Sequence, residues 1–214
     1  MIIGRIMTPN PFTVETSTSV GDAQAIIKRE KIHRLPVIDK HKKLVGIVSE
    51  KDLLYASPSP ASTLSAFEMG ALLGKLTVEQ VMSRKVVSVE ESTLIEDAAR
   101  LMVDHNIGGL PVLNGSTLVG IVTESDVMRL FIELFGARRK GLRATLLLPD
   151  KSGEIAQMTG AIAEAGGNII SLGTFPGDSP ETALCAVKVD SMERRAFEEA
   201  VKPHVNEIRD IREV

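Results

Sequence analysis

Tryptophan is absent from this chain, and tyrosine and cysteine occur once each. Aromatics make up 3% of the 214 residues, too few for the stacking platforms that hold single-stranded nucleic acid. One cysteine, Cys185, excludes an internal disulfide framework and fits a reducing cytoplasm. It lies mid-strand and reads as a small hydrophobe. A basic excess is missing too: the formal net charge is −3, which argues against a nucleic-acid partner. No apolar run approaches the length needed to span a bilayer. The opening MIIGRIMTPNP lacks the apolar stretch of a secretory leader, so the expected location is the cytoplasm, away from membranes. The P-loop, the G-x-S-x-G elbow, H-E-x-x-H, C-x-x-C and the Rossmann fingerprint are all absent. The four histidines, His33, His41, His105 and His204, have no metal-ligand spacing. No nucleophile–base pair can be argued. The expectation is a protein that is not an enzyme, with no metal and no required cofactor.

What the chain does have is a repeat. Hydrophobic residues at 43% and charged residues at 25% are ordinary for a globular protein, and the length allows one or two domains. Laid against itself, MTPNPFTVETSTSVGDA (7–23) meets MSRKVVSVEESTLIEDA (82–98), KIHRLPVID (31–39) meets NIGGLPVLN (106–114), and LVGIVSEKDLL (44–54) meets LVGIVTESDVM (118–128). Each unit predicts a short strand (12–14; 87–89), an amphipathic helix (20–30; 94–105), two strands joined by a polar turn (35–38 and 44–48; 110–113 and 118–122), and a second helix. One unit alone would be marginal, so the two are expected to pair around a pseudo-twofold axis. Between them, the Ser/Pro-rich start of 57–80 predicts an extended loop. A short amphipathic helix follows over 63–76, carrying Leu64, Phe67, Leu72 and Leu73.

The phrase GIVSEKD (46–52) returns as GIVTESD (120–126). Its plain reading is a capping box, Ser49 with Asp52 and Thr123 with Asp126, although such boxes prefer Glu or Gln in the fourth place. Its functional reading is a nucleotide site. A hydroxyl and backbone N–H groups at a helix start can hold phosphate, and an aspartate one turn in can hold a ribose. Gly46 and Gly120 would allow close approach. His33 and Arg34, just before the first LPV strand, add cations suited to phosphate, above all the bidentate Arg34.

The strands bearing Thr13-Val14 and Ser88-Val89, the LPV strands and the G-h-h-S/T-x-x-D phrases resemble a tandem pair of CBS (cystathionine β-synthase) domains, often called a Bateman module, over residues 7–133. The resemblance implies binding of adenosine-containing ligands such as AMP, ADP, ATP or S-adenosylmethionine. Asp would hold the ribose, Ser or Thr would lie near phosphate, and the first strand of the partner repeat would line the adenine. Carried over, one cleft would use Thr123, Asp126, Thr13, Val14, His33 and Arg34. The other would use Ser49, Asp52, Ser88 and Val89. Gly108-Gly109 replaces His33-Arg34 in the second repeat, so the Asp126 cleft is the expected phosphate site.

After a helix over 124–135, GARRKG (136–141) reads as a solvated hinge. Beyond it the pattern predicts strand 142–149, helix 154–166, strands 168–176 and 182–190, a helix over 191–204 capped by Ser191, and strand 205–214: a ferredoxin-like βαββαβ unit. LLLPDKSGEIAQMTGAIAEAGGNIISL resembles an ACT domain, which implies an amino-acid effector held across a domain interface. Asp150, Gly153, Asn168 and Ile169 match its turn and second-strand start; Ser152 replaces a common Pro. An open sheet edge also predicts a homodimer. The whole order resembles acetoin-utilisation accessory proteins.

The expected fold is thus α+β: repeat 1 over 1–56, a loop and helix over 57–80, repeat 2 over 81–135, a hinge over 136–141 and an ACT-type domain over 142–214. The expected function is a regulatory sensor of adenine nucleotide or S-adenosylmethionine acting on another protein. Two alternatives stay open. One is an amino-acid-responsive regulator whose repeat pair is only a dimer scaffold; the other is an enzyme with an unrecognised site.

Overall fold

A computed structural model describes residues 1–57 and 65–214. The chain forms two compact units, Met1–Val127 and Met128–Val214.

In the first unit the elements are β1 (Thr8–Pro9), β2 (Val14–Glu15), α1 (Val20–Glu30), β3 (Arg34–Ile38), β4 (Leu44–Ser49), α2 (Glu50–Tyr55), α3 (Ala66–Lys75), α4 (Val78–Val81), β5 (Val89–Glu90), α5 (Ile95–His105), β6 (Gly109–Asn114) and β7 (Thr117–Thr123). α6 (Glu124–Leu134) begins in it and crosses the boundary. The repeat is visible in the registers: β2 runs parallel to β3 with Val14 beside Val37, and β5 parallel to β6 with Val89 beside Val112. β3–β4 and β6–β7 are antiparallel, pairing Val37 with Gly46 and Val112 with Gly120. α1 is capped by Ser19, whose hydroxyl accepts from the Asp22 amide, and stops at Lys31 in a left-handed conformation (φ 54°). It buries Val20, Ala23 and Ile27 on one face.

Three expectations shift. The first strand of each repeat is only two residues long and begins at Val14 and Val89, so Thr13 and Ser88 precede the pairing. The linker helix spans Ala66–Lys75, with Leu73 and Leu76 against the first core. The Ser/Pro loop and Leu64 fall within 58–64, outside the described residues.

The third shift concerns which segment completes which half. β1 does not join its own repeat; it adds to β7, setting Thr8 beside Ile121 and Pro9 beside Gly120. Its counterpart Ser83 bridges to Ile47 of β4. The Ile3 amide donates to the Thr93 carbonyl and the Val78 amide to the Thr18 carbonyl. The first core accordingly contains Val78 and Met82 together with Val14, Leu35, Val37, Val48 and Leu53. The resulting sheets run β2-β3-β4 and β1-β7-β6-β5. Each half is therefore finished by the leading segment of the other repeat. Gly46 and Gly120 serve this exchange. A Cβ at Gly46 would collide with the sulfur of Met82, and one at Gly120 with the sulfur of Met7. The space they open is filled by thioethers.

The second unit holds the end of α6, then β8 (Leu142–Pro149), α7 (Glu154–Glu164), β9 (Asn168–Pro176), β10 (Thr182–Asp190), α8 (Arg194–Val201) and β11 (Glu207–Glu213). The sheet order β11-β8-β10-β9, with every neighbour antiparallel, is that of a ferredoxin-like βαββαβ arrangement. α7 and α8 cover one face, enclosing Leu142, Ala144, Leu146, Leu148, Met158, Ile162, Val187, Phe197 and Cys185. Ser191 does not cap α8. It sits at φ 62° with its hydroxyl turned to Asp190, and the helix starts at Arg194.

Residues 136–141, expected as a solvated hinge, carry exposed basic side chains on an anchored backbone. Buried Lys188 of β10 donates through Nζ to the Gly136 carbonyl (2.9 Å) and to the Arg139 carbonyl. Arg139 pairs with Asp190 at 2.9 Å, and Gly141 and Val214 exchange both backbone hydrogen bonds. The Phe135 ring lies over Gly173 and stacks near Phe175, with centroids 6.3 Å apart. An ammonium in an apolar sheet must give its protons to acceptors. Here those acceptors are the carbonyls of the connecting segment.

Candidate functional site

The repeated phrase forms two like turns. The Ser49 amide and hydroxyl both donate to Asp52 Oδ2, at 2.8 and 2.6 Å, and the Asp52 amide donates back to Ser49 Oγ at 3.2 Å. The Thr123 amide and hydroxyl donate to Asp126 Oδ2 at 2.8 and 2.7 Å. Aspartate therefore closes the box despite its short side chain, because the cap sits on a strand end that already faces the first helical turn. The first helical amides are committed as well: Glu50 N–H donates to the His33 carbonyl (2.8 Å) and Glu124 N–H to the Gly108 carbonyl (3.3 Å). Together these bonds occupy the Ser49, Glu50 and Asp52 amides of the first turn and the Thr123 and Glu124 amides of the second. Asp52 Oδ1 makes no hydrogen bond among the described residues and remains an acceptor for a ribose hydroxyl.

Arg34 is the cation in place. Its side chain leaves β3 of the first half and lies on Gly108-Gly109 of the second. A Cβ at Gly108 would stand 2.7 Å from its Nη2, and one at Gly109 would collide with its Nη1. Gly109 pairs with Thr123 across β6–β7, so the guanidinium lies at the start of the second turn. Glu124 Oε2 is within 2.9 Å of the same Gly108 Cβ position. Burial lowers the guanidinium pKa below its ordinary value, and the Glu124 charge opposes that. The Arg34 guanidinium makes no hydrogen bond among the described residues, which leaves its fork of donors unused. The glycine pair that reads in the sequence as a missing cation is the floor on which the other repeat's cation rests.

The remaining predicted residues divide. Val14 and Val89 are buried in β2 and β5. Thr13 and Ser88 lie where the chain crosses between halves, after β1 or Ser83 has joined one sheet and before β2 or β5 joins the other. That path leads from the β7 strand through Thr13 to β2, and from the β4 strand through Ser88 to β5. His33 is turned away. Its exposed ring contacts Glu50 (2.9 Å) and lines an open groove of about 860 Å³ between α1 and α2. In the second unit Asp150 follows the end of β8 and Gly153 starts α7 at φ 96°, whereas Asn168 and Ile169 begin β9. β8 and β9 are both antiparallel to β10, so these pairs lie at opposite ends of the sheet. One chain does not bring them together, and Asn168 is bonded to Asp190 at 2.9 Å. Asp150 instead lines a cavity of about 370 Å³ with Lys151, Thr174 and Ser179. Glu124, Lys188 and the role of Gly108-Gly109 were missed in the sequence; only the Gly-Gly departure from the first repeat could have signalled them. Among the described residues there is no cluster of metal-ligating side chains, and no helix is long and apolar enough to cross a membrane.

Two half-sized α+β repeats that finish each other's sheets and present like cap turns make a tandem repeat module. The CBS-domain profile matches residues 3–59 and 78–133, more than half of the chain, and the chain belongs to the CBS domain family. A CBS domain-containing protein of Dictyostelium discoideum is 33% identical over 135 residues, 63% of this chain and 93% of that one. CBSX2, a chloroplastic CBS domain-containing protein of Arabidopsis thaliana, is 35% identical over 152 residues, 62% of this chain and 64% of that one. Other relatives are far longer: the matched stretch spans 23% of the L-aspartate semialdehyde sulfurtransferase of Methanocaldococcus jannaschii. Among solved structures, CBSX2 in complex with AMP superposes with a TM-score of 0.53 at 36% identity, over 62% of this chain and 97% of that one. The CBS domain pair of protein MJ0100, in complex with 5-methylthioadenosine and S-adenosyl-L-methionine, gives 0.52 at 30%, over 65% and 98%. A Vibrio cholerae protein assigned to acetoin utilization (AcuB) gives 0.53 at 32%, over 64% and 95%.

Proposed function

We propose that this protein is a regulatory sensor that binds an adenosine-containing ligand in its CBS pair, with the phosphate-bearing group in the cleft of Arg34, Thr123 and Asp126. The observation that carries this reading is Arg34: a half-buried guanidinium on a glycine floor, next to the Thr123 turn, with its donors unused. The family relatives that hold AMP, 5-methylthioadenosine and S-adenosyl-L-methionine support the ligand class. Asp126 and Asp52 would hold ribose in the two clefts, with Thr13, Val14, Ser88 and Val89 along the base. The asymmetry of Arg34 against Gly108-Gly109 makes the Asp126 cleft the phosphate site. Regulation then follows from differential affinity: ligand shifts a partner's activity only by favouring one arrangement of the protein over another.

A second reading attaches to the C-terminal unit. We propose it as an ACT-type domain that takes an amino-acid effector; the cavity pairing a carboxylate (Asp150) with an ammonium (Lys151) favours a zwitterion. An effector touching Asn168 and Ile169 as well would need a second chain, which is consistent with a homodimer. A role in acetoin utilisation and a cytoplasmic setting belong to the same proposal and rest on resemblance.

Thermal unfolding against AMP, ADP, ATP, S-adenosylmethionine, adenosine and the amino acids separates these readings. Ligand at about 100 times its dissociation constant stabilises by roughly 2.7 kcal/mol. We expect a rise in midpoint with an adenosine ligand that is lost in Asp126→Ala and retained in Asp52→Ala. A response to amino acids alone would move sensing to the C-terminal unit.

A further inference from the structure

The two repeats place a glutamate at the same point, one residue after the cap: Glu50 and Glu124. Their surroundings differ. Glu50 contacts the His33 ring at 2.9 Å. In the second repeat Gly108 stands where His33 stands in the first, so Glu124 has no such histidine, and the charged group beside it is Arg34. The Glu124 carboxylate makes no hydrogen bond or close ion pair among the described residues, and it is exposed at the mouth of the Arg34 turn. Guanidinium and carboxylate flank the same glycine without being locked together.

Resting on the nucleotide reading above, we propose that Glu124 is a charge gate that grades adenosine ligands by their phosphate number in the Arg34 cleft. Arg34 offers unused donors to the first phosphate. Glu124, a few ångströms away, repels each further negative charge and favours a cationic sulfonium. The gate belongs to one cleft only, because His33 engages the equivalent carboxylate in the first repeat.

The test is isothermal titration of the full chain and its Glu124→Gln variant with adenosine, AMP, ADP, ATP and S-adenosylmethionine. Removing one nearby charge should tighten ATP about five- to tenfold and AMP about two- to threefold, leave adenosine within about twofold, and weaken S-adenosylmethionine. Glu124→Asp, which keeps the charge, should preserve the wild-type ranking, and Glu50→Gln should not alter it. Equal changes for all ligands, or an unchanged ATP-to-adenosine ratio, would overturn the gate while leaving nucleotide binding intact. Failure of the wild-type protein to bind even adenosine would overturn the nucleotide reading and the gate with it.

Discussion

At the scale of single residues, the molecule turns on contacts that a side chain's chemical type does not announce. Gly109 is the sharpest case. A methyl group there would meet both Arg34 and the Val122 carbonyl, 2.9 Å away in a paired strand that cannot yield. Gly109→Ala is expected to cost about 1–3 kcal/mol in urea unfolding and to weaken AMP more than adenosine, since the displaced group is the cation. Met82, seated on Gly46 in the first core, is a second case. Met82→Ala should cost about 2–5 kcal/mol, a loss that a surface methionine would not show. Cys185 gives a prediction in pH. Burial pushes its thiol up from 9.0 to about 11, so the folded state keeps its proton while the unfolded chain ionises. Its contribution is complete below pH 9 and is lost as pH rises from 9 towards 11. Native protein at pH 8 should resist alkylation by iodoacetamide, and unfolded protein should react. Native reactivity at pH 8 would contradict the burial.

At the scale of elements, Lys188 joins β10 to the carbonyls that follow α6. Lys188→Met should remove that joint without emptying the sheet. Hydrogen exchange is expected to speed up at the 136–141 amides, while the amides of β8 and β10 stay protected. Uniform loss of protection would show Lys188 to be a general core residue instead. The elements themselves were largely legible in the sequence. Helical periodicity marked α1, α5 and α7, apolar runs marked β3, β4, β6 and β7, and the alternation of strands and helices after residue 142 gave the βαββαβ order. These signals are local, and local signals survive packing. Ser191 misled because a serine before a helix looks like a cap until its left-handed backbone is known. Asn168 was grouped with Asp150 because they share a motif in sequence, whereas parallel strands put a strand's start and a strand's end at opposite edges. Arg34 was chosen as a cation on sequence grounds, but its floor lies in the other repeat. Lys188 carried no signal at all, since a lysine in a strand ordinarily faces water.

At the scale of the whole molecule, the exchange of segments 1–9 and 76–83 ties the two repeats of the first unit together, each half taking a segment from the other. A protein lacking residues 1–9 loses β1, buried Ile3 and the Met7 side chain from the second half. It should lose exchange protection in β7 and α5 while retaining it in β3 and β4. The same feature bears on the order in which the chain is made. Residues 1–9 leave the ribosome well before their strand partner at 120–121, near the end of the unit. At about 5–20 residues per second, that interval is roughly 6 to 22 s, during which Ile3 and Met7 have no groove to enter. A chain halted at residue 57 would present a first repeat with a gap where Val78 and Met82 belong.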